Sequence, residues 1–327
     1  MTKDHVLAIL KQADTYMSGE KISEQLGITR SAVNLAVKNL RQEGYHISSS
    51  TNKGYLLEEN EDLDLLSCGE LLSLLPKSRV DHVICLDSTS STNNELRKMA
   101  FEGAASGTVV IANEQSNGRG RRGRTFASPK NTGIYFSILF RPNCTPPEST
   151  TITAWTAVAV ARAIYQVTNI YPSIKWVNDL FLNRKKICGI LSEMSVENEG
   201  GHVQHIIIGI GINVNQPTSA FPKELQNIAT SIYAETGQKV NRAKLTAALI
   251  EEMDKMFADW PAASETYLEA YCEHNLTTKE NMAIVSGNNQ IPITVLGINN
   301  DFSLKIQYKD GRIENLSSGE VSVKFKE

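Results

Sequence analysis

The spacing of apolar residues changes twice along this chain of 327 residues, and that alone excludes a fold built from one repeated element. Through about residue 45 the spacing is helical. Val6, Ile9, Leu10 and Ala13 share a face, then Ile22 and Leu26, then Val33, Val37 and Leu40. From about Val80 short apolar runs at 83–86, 109–112, 134–140 and 206–212 read as strands, and 92–101, 151–168 and 242–260 read as helices. Strand and helix do not strictly alternate, which favours α+β over a doubly wound sheet. Past Thr277 the chain is mostly short strands, at 282–285, 291–298, 302–308 and 320–325, with Asp310-Gly311 as a tight hairpin turn. The expectation is an α+β multidomain chain: a helical head at 1–65, a mixed α/β domain at 66–276, and a small SH3-like β-barrel at 277–327.

The head carries its own punctuation. Ser18 is a good N-cap and Gly27 a good C′ residue; Thr29 caps the next helix and Gly44 ends it. Two short helices joined at Gly27-Ile28 are the mark of a helix-turn-helix. The polar face of the second shows Arg30, Ser31, Asn34, Lys38 and Arg41, residue types that reach phosphates and base edges from the major groove. Residues 45–47 and 55–57 can pair around a tip at 48–54 that includes Lys53, which makes a wing. Residues 1–57 hold seven Lys/Arg against five Asp/Glu, although the whole chain is at −3, so any DNA contact must be local. The competing reading is a helical domain whose polar face is merely solvated. Residues 58–64 read as an acidic, solvated linker, and 65–75 as a short helix.

Five scattered cysteines form no CxxC pair, so neither a disulfide framework nor a zinc site is expected. No stretch is apolar enough to span a bilayer, and the N-terminus is too polar for a signal peptide, which points to the cytoplasm.

The loudest motif is Gly118-Arg119-Gly120-Arg121-Arg122-Gly123-Arg124. As GxGxxG it would need a helix directly after it, and a turn and the strand at 134–140 follow instead, so a dinucleotide fold fails on context. A kinase glycine loop fails as well, because nothing downstream resembles HRD or DFG. What remains is a loop whose glycines expose backbone N–H groups and whose four guanidinium groups bind carboxylate or phosphate. It should be mobile when empty and order over a polyanionic ligand. A solvated basic loop or an RNA-binding patch would look the same.

Two further segments narrow the choice. Lys175-Trp176-Val177-Asn178-Asp179-Leu180 and Lys185-Lys186-Ile187-Cys188-Gly189-Ile190-Leu191 set amide, carboxylate and lysine around a hairpin. Ile208-Gly209-Ile210-Gly211-Ile212-Asn213 is a strand whose glycines leave one face open to a close ligand. Taken with Ser91-Thr92-Asn93 and Glu114-Gln115, these motifs run STN, EQxxGRGRRGR, KWxNDL, KKxxGIL, GxGxN. In that order they resemble the biotin–protein ligases over nearly the whole chain. The head resembles the bifunctional form that also represses the biotin operon.

The resemblance implies roles. Ser91, Thr92, Asn93 and Gln115 would hold the ureido end of biotin, with Gly209 and Gly211 as the wall of its slot and Gly189 and Leu191 lining the same site. Arg119, Gly120 and Arg121 would close over the valerate and phosphate, leaving Arg122 and Arg124 as supporting or solvated charges. Lys186 would be the catalytic lysine, acting with Arg121. Phe126, Asn178 and Asn213 would belong with Arg121 and Lys186 to the ATP site, and Asp179 would contact metal or acceptor lysine. Phe126 stands where members commonly carry tryptophan, and Val177 where they carry proline. Residues 87–94 contain two Ser-Thr pairs, and either Ser88-Thr89 or Ser91-Thr92 can be the one that binds biotin.

The implied reaction joins biotin to AMP at the expense of ATP, then transfers the biotinyl group to a lysine. Biotin, ATP and Mg²⁺ are the small molecules, with no tightly bound prosthetic group. The implied partners are a biotin carboxyl carrier domain, of acetyl-CoA carboxylase or pyruvate carboxylase, operator DNA, and a second copy of the chain once biotinyl-AMP is bound. No membrane partner is expected. Two rivals remain: a regulator that only senses a small carboxylate, and a lipoate or other acyl-adenylate ligase.

Overall fold

The computed structural model describes residues 2–58, 60, 63–197, 200–277, 281–286, 289–317, 319 and 321–324. They form two compact units, one of 1–85 with 241–247, the other of 86–240 with 248–327.

The first unit begins with helices α1 (Thr2–Lys11), α2 (Gly19–Leu26) and α3 (Arg30–Gln42). Ser18 and Thr29 accept the backbone N–H of Lys21 and Ala32, and Gly27 ends α2 in the left-handed region. These caps satisfy donors that short helices otherwise leave open. Val6, Leu10, Ile22, Val33, Val37 and Leu40 form one buried core, as their spacing requires. The wing strands are β1 (Ile47–Ser50) and β2 (Gly54–Leu57), paired antiparallel from Ile47–Leu57 to Ser50–Gly54. The hairpin is thus shifted from the expected 45–47: Tyr45 is buried in the core and its N–H bonds the Leu40 carbonyl, so pairing starts two residues later. The tip shrinks to Thr51-Asn52-Lys53.

The helix expected at 65–75 is shorter, α4 (Cys68–Leu74), capped by Ser67 and packed on α1. Its Glu70 is buried, accepts from the Tyr45 hydroxyl at 2.8 Å, and pairs with Lys11 at 2.8 Å. Burial and then Glu70 hold the Tyr45 hydroxyl far above its ordinary pKa. The acidic segment is not simply solvated. Asp64 accepts the backbone N–H of Arg242 at 3.0 Å and its guanidinium at 2.7 Å, and the Arg242 side chain is fully buried.

The second unit is built on a seven-stranded sheet. Its strands are β3 (Val83–Leu86), whose last residue opens the unit, β4 (Val109–Ala112), β5 (Gly133–Phe140), β6 (Ser173–Lys175), β7 (Asp179–Leu182), β8 (Lys185–Val196) and β9 (Val203–Asn213). Their order is β3-β4-β5-β9-β8-β7-β6, with antiparallel ladders from β4 to β6. Between β3 and β4 runs α5 (Thr92–Phe101), which packs on β4, β5 and β9. The apolar helix α6 (Ile152–Thr168) packs on β6, β7 and β8, with Thr153 meeting Ser192 at 2.9 Å. Helices α7 (Ile232–Thr236), α8 (Arg242–Asp259, its first turns in the first unit) and α9 (Ser264–Glu273) follow, and Tyr267 of α9 stacks on Trp155.

The tail is the SH3-like domain: β10 (Asn281–Ser286), β11 (Asn289–Ile298), β12 (Leu304–Tyr308), β13 (Ile313–Leu316) and β14 (Val321–Lys324), ordered β13-β12-β11-β10-β14. Strand β13 was not expected, because Glu314 and Asn315 break its apolar pattern. Residues 320 and 325 of the expected last strand lie outside the described residues. Trp176 ties this sheet to the central domain, its N–H donating to the Phe302 carbonyl at 2.9 Å.

Candidate active site

Strand register puts the glycines together. Gly189 faces Gly211 across β8 and β9, and Leu191 faces Gly209, so this face of the sheet lets neighbouring side chains approach its backbone closely. Ser137 of β5 sits opposite Gly209 on the same face. Asn93, from the first turn of α5, fills the space at Gly209: a β-carbon there would stand 2.3 Å from its Oδ1.

The polar floor is a chain of hydrogen bonds. The Thr92 N–H and hydroxyl donate to Gln115 Oε1 at 2.9 and 3.1 Å, and Gln115 Nε2 donates to Ser128 Oγ at 3.0 Å. Ser137 Oγ lies 2.7 Å from Thr92 Oγ1 and 2.6 Å from Asn93 Oδ1. Of the two Ser-Thr pairs, Ser91-Thr92 lines this cavity, while the Thr89 hydroxyl turns to Glu95 at 3.1 Å.

The arginine loop closes on itself through Gly120 N–H to the Arg124 carbonyl at 2.7 Å and Phe126 N–H to the Gly118 carbonyl at 2.9 Å. A side chain at Gly118 would strike that Phe126 carbonyl, at 2.3 Å, so this glycine is needed for close approach. Arg119 reaches Asn94 Oδ1 at 3.1 Å and Glu193 at 3.4 Å; Arg121 reaches Asn178 Oδ1 at 3.0 Å. Arg122 and Arg124 are exposed.

Lys186 lies at the start of β8 with its main chain bonded on both sides, to the Ile228 carbonyl and the Thr230 N–H. Its ammonium pairs with Asp179 at 2.7 Å. Asn178 Nδ2 donates to the Ile190 carbonyl at 2.9 Å, and buried Asn213 donates to the Thr230 carbonyl at 3.0 Å. Cys188 is fully buried and burial pushes its thiol up, so it offers no thiolate nucleophile.

Three cavities meet here. A slot of about 50 Å³ is lined by all eleven residues assigned to biotin: Ser91, Thr92, Asn93, Gln115, Arg119, Gly120, Arg121, Lys186, Gly189, Gly209 and Gly211. A chamber of about 440 Å³ is bordered by Asn213, Asp179, Phe221 and the cations Arg124, Lys175 and Arg184. A third of about 160 Å³ has Asn178, Asp179, Arg121 and Gly319 on its walls. Phe126 and Lys186 border all three. Sequence reasoning did not find Ser128, Ser137, Asn94, Arg97 or Glu193. The period of two along β8, which aligns Glu193 with Gly189 and Leu191, was the signal that could have found the last.

Among the described residues no three of His, Cys, Asp and Glu cluster as a metal site, and no helix is long and apolar enough to cross a membrane.

Residues 84–213 match the biotin/lipoate A/B protein ligase family, and residues 2–56 match an HTH domain. The chain is 33% identical over 325 residues to the bifunctional ligase/repressor BirA of Bacillus subtilis, covering 99% of this chain and 98% of that protein. With the bifunctional ligase/repressor BirA of Escherichia coli it shares 28% over 325 residues, 98% of this chain and 97% of the other. Its fold matches the biotin protein ligase of Aquifex aeolicus, solved in complex with biotin and ATP, with a TM-score of 0.62 at 28% identity over 75% of this chain and 99% of that one. Alike from end to end with proteins of this build, the chain belongs to the family of bifunctional ligase/repressors, in which a helix-turn-helix head precedes a biotin/lipoate-type protein ligase domain.

Proposed function

We propose that the slot takes the bicyclic ring of biotin and that Lys186 marks where its carboxylate meets the α-phosphate of ATP. The observation that carries this is the shared wall. The cavity lined by hydroxyls, amides and glycines touches both larger chambers at the same lysine and the same aromatic ring. A urea needs donors and an acceptor, which Thr92, Asn93, Gln115 and Ser91 offer beside an open backbone.

The carboxylate oxygen of biotin attacks the α-phosphorus of ATP, forming biotinyl-5′-AMP and expelling pyrophosphate. A neutral lysine amine of the carrier domain then attacks the acyl carbon, and AMP leaves as the amide forms and a proton is lost. Neither step needs a nucleophile from the protein. Lys186 and Arg121 place positive charge where negative charge develops, and the slot holds the acid in line for attack. Phe126, Asn178 and Asn213 serve the nucleotide, with the cations of the large chamber facing its phosphates.

Mg²⁺ would arrive on ATP. It keeps phosphate and water ligands and needs only one or two protein carboxylates; Asp179, the only acid among the described residues on the walls of these chambers, would supply one and otherwise sets the position of Lys186. When bound, the ion would neutralise phosphate charge.

The head would repress biotin genes by reading an operator through Arg30, Ser31, Asn34, Lys38 and Lys53, all exposed, with Arg41 shaping the wing. An operator of two half-sites calls for a dimer, which biotinyl-AMP would favour. The domain limits 1–65, 66–276 and 277–327, a carboxylase carrier domain as acceptor, and a cytoplasmic setting complete the reading.

Incubation with ATP, biotin and a carrier domain tests it: pyrophosphate and biotinylated carrier should both appear, and lipoate in place of biotin should give neither. Binding of biotin without pyrophosphate would leave only a sensor.

A further inference from the structure

The floor of the slot depends on a residue that does not line it. Glu193 stands on the same face of β8 as Gly189 and Leu191, one step beyond the cavity wall. Its Oε2 accepts from Asn93 Nδ2 at 2.7 Å and pairs with Arg97 at 2.8 Å, while Oε1 faces Arg119 at 3.4 Å. Arg97 and Arg119 both donate in turn to Asn94 Oδ1, at 2.8 and 3.1 Å. Asn93 and Arg119 line the slot; Arg97, Asn94 and Glu193 do not.

A carboxylate only accepts hydrogen bonds, so Glu193 decides which way the Asn93 amide points: Nδ2 outward to the acid, Oδ1 inward to Ser137. The same acid gives the first arginine of the loop an opposite charge at the slot's mouth.

We infer that Glu193 is a positioning residue for the biotin site, fixing the Asn93 amide against Gly209 and tethering Arg119 before ligand arrives. This rests on reading the slot as the biotin site. Arg97, Arg119 and Glu193 keep 34%, 43% and 22% of their side-chain surface, and ion pairs so exposed add little to stability. The effect should therefore appear in ligand affinity rather than in folding.

The test is steady-state pyrophosphate release by the full chain, with KM measured separately for biotin and ATP. Glu193→Ala should raise the biotin KM roughly tenfold or more. kcat and the ATP KM should stay within about twofold, with the melting temperature nearly unchanged. Glu193→Gln keeps an acceptor for Asn93 but loses the charge, and should fall between the two. Thr92→Val serves as the control on the slot itself. If it raises the biotin KM and both Glu193 variants match wild type, the inference fails and the slot reading stands. If no variant moves the biotin KM, the slot reading fails and takes the inference with it. A Glu193→Gln protein that melts early and loses kcat and both affinities together would show a structural role and overturn the inference.

Discussion

The ring of Phe126 rests on the backbone of Gly211: a β-carbon added there would stand 2.6 Å from Cε1 and 2.7 Å from Cζ. Phe126 also borders the slot and both chambers, so this contact separates the sites assigned to biotin and nucleotide. Gly211→Ala must either push the ring aside or fill the slot. Overpacking of this kind costs about 1–3 kcal/mol in stability, which a denaturant melt will read. The kcat/KM for biotin should fall by more than about tenfold, since a mislaid ligand forfeits orientation. Unchanged biotin kinetics would mean that the ligand does not lie along Gly211.

Lys186 touches all three cavities and its backbone is held on both sides, so its removal deletes charge with little change of shape. Lys186→Ala should slow pyrophosphate release by about 10²–10³-fold, the usual loss for one electrostatic group at a reacting centre. Biotin binding, followed by calorimetry, should persist, because Ser91, Thr92, Asn93 and Gln115, the residues proposed for the ureido end, are unchanged. An alanine variant with normal turnover would remove Lys186 from the mechanism.

His205, buried on β9 with its ring edge-on to Phe101, is held below the usual value of 6.5 by burial and by the charges of Arg141 and Arg97. Its folded form therefore stays neutral at pH values where the unfolded chain takes up a proton. The resulting stability is full above the unfolded pKa and is lost as pH falls through about 6.5 toward the folded value. Melting temperature should drop between about pH 7.5 and about pH 5.5. His205→Phe should flatten that slope, and an equal slope in the variant would assign it to other groups.

Trp176 is buried, with its backbone N–H on Thr277 Oγ1 at 2.8 Å and its indole N–H on the Phe302 carbonyl. Two and three residues on come Asn178 and Asp179, so the anchor of the SH3-like domain is also the anchor of the site. Trp176→Phe strands a buried carbonyl at a cost of about 1–3 kcal/mol. The melt should shift by that amount, and kcat should fall with it as Asn178 and Asp179 loosen. A shifted melt with full kcat would confine Trp176 to stability.

Local signals were legible and long-range ones were not. Ser18, Gly27 and Thr29 act as read, and α5 runs from Thr92 to Phe101 as its spacing required, because caps and periodicity are decided within a few residues. The motif residues of the slot could be collected from sequence because each sits in a short, chemically odd string. Glu193 sits in no such string; it acts on Asn93, 100 residues away, and only strand register brings the two together. Tyr45 was misread for a similar reason, since burial in the core outweighed its preference for a strand. The acid at Asp64 looked solvated because its partner, Arg242, lies 178 residues downstream.

Arg41 differs from its neighbours on α3. Its Nε donates to the Ile47 carbonyl at 2.8 Å and its guanidinium also reaches Ser49, so it braces the wing from within the domain. Lys38 is exposed on the same helix, one turn earlier. The two substitutions should therefore weaken operator binding in different ways. Lys38→Ala removes one positive charge proposed to meet a phosphate and should lower the slope of log affinity against log salt by about one, with the wing intact. Arg41→Ala should weaken binding and also speed amide hydrogen exchange in residues 47–57, because β1 loses the group that holds its first carbonyl. Arg41→Lys keeps the charge but not the fork, and should resemble the alanine in exchange while recovering part of the salt slope. If Arg41→Ala changed only the salt slope and left exchange untouched, Arg41 would be an ordinary phosphate contact.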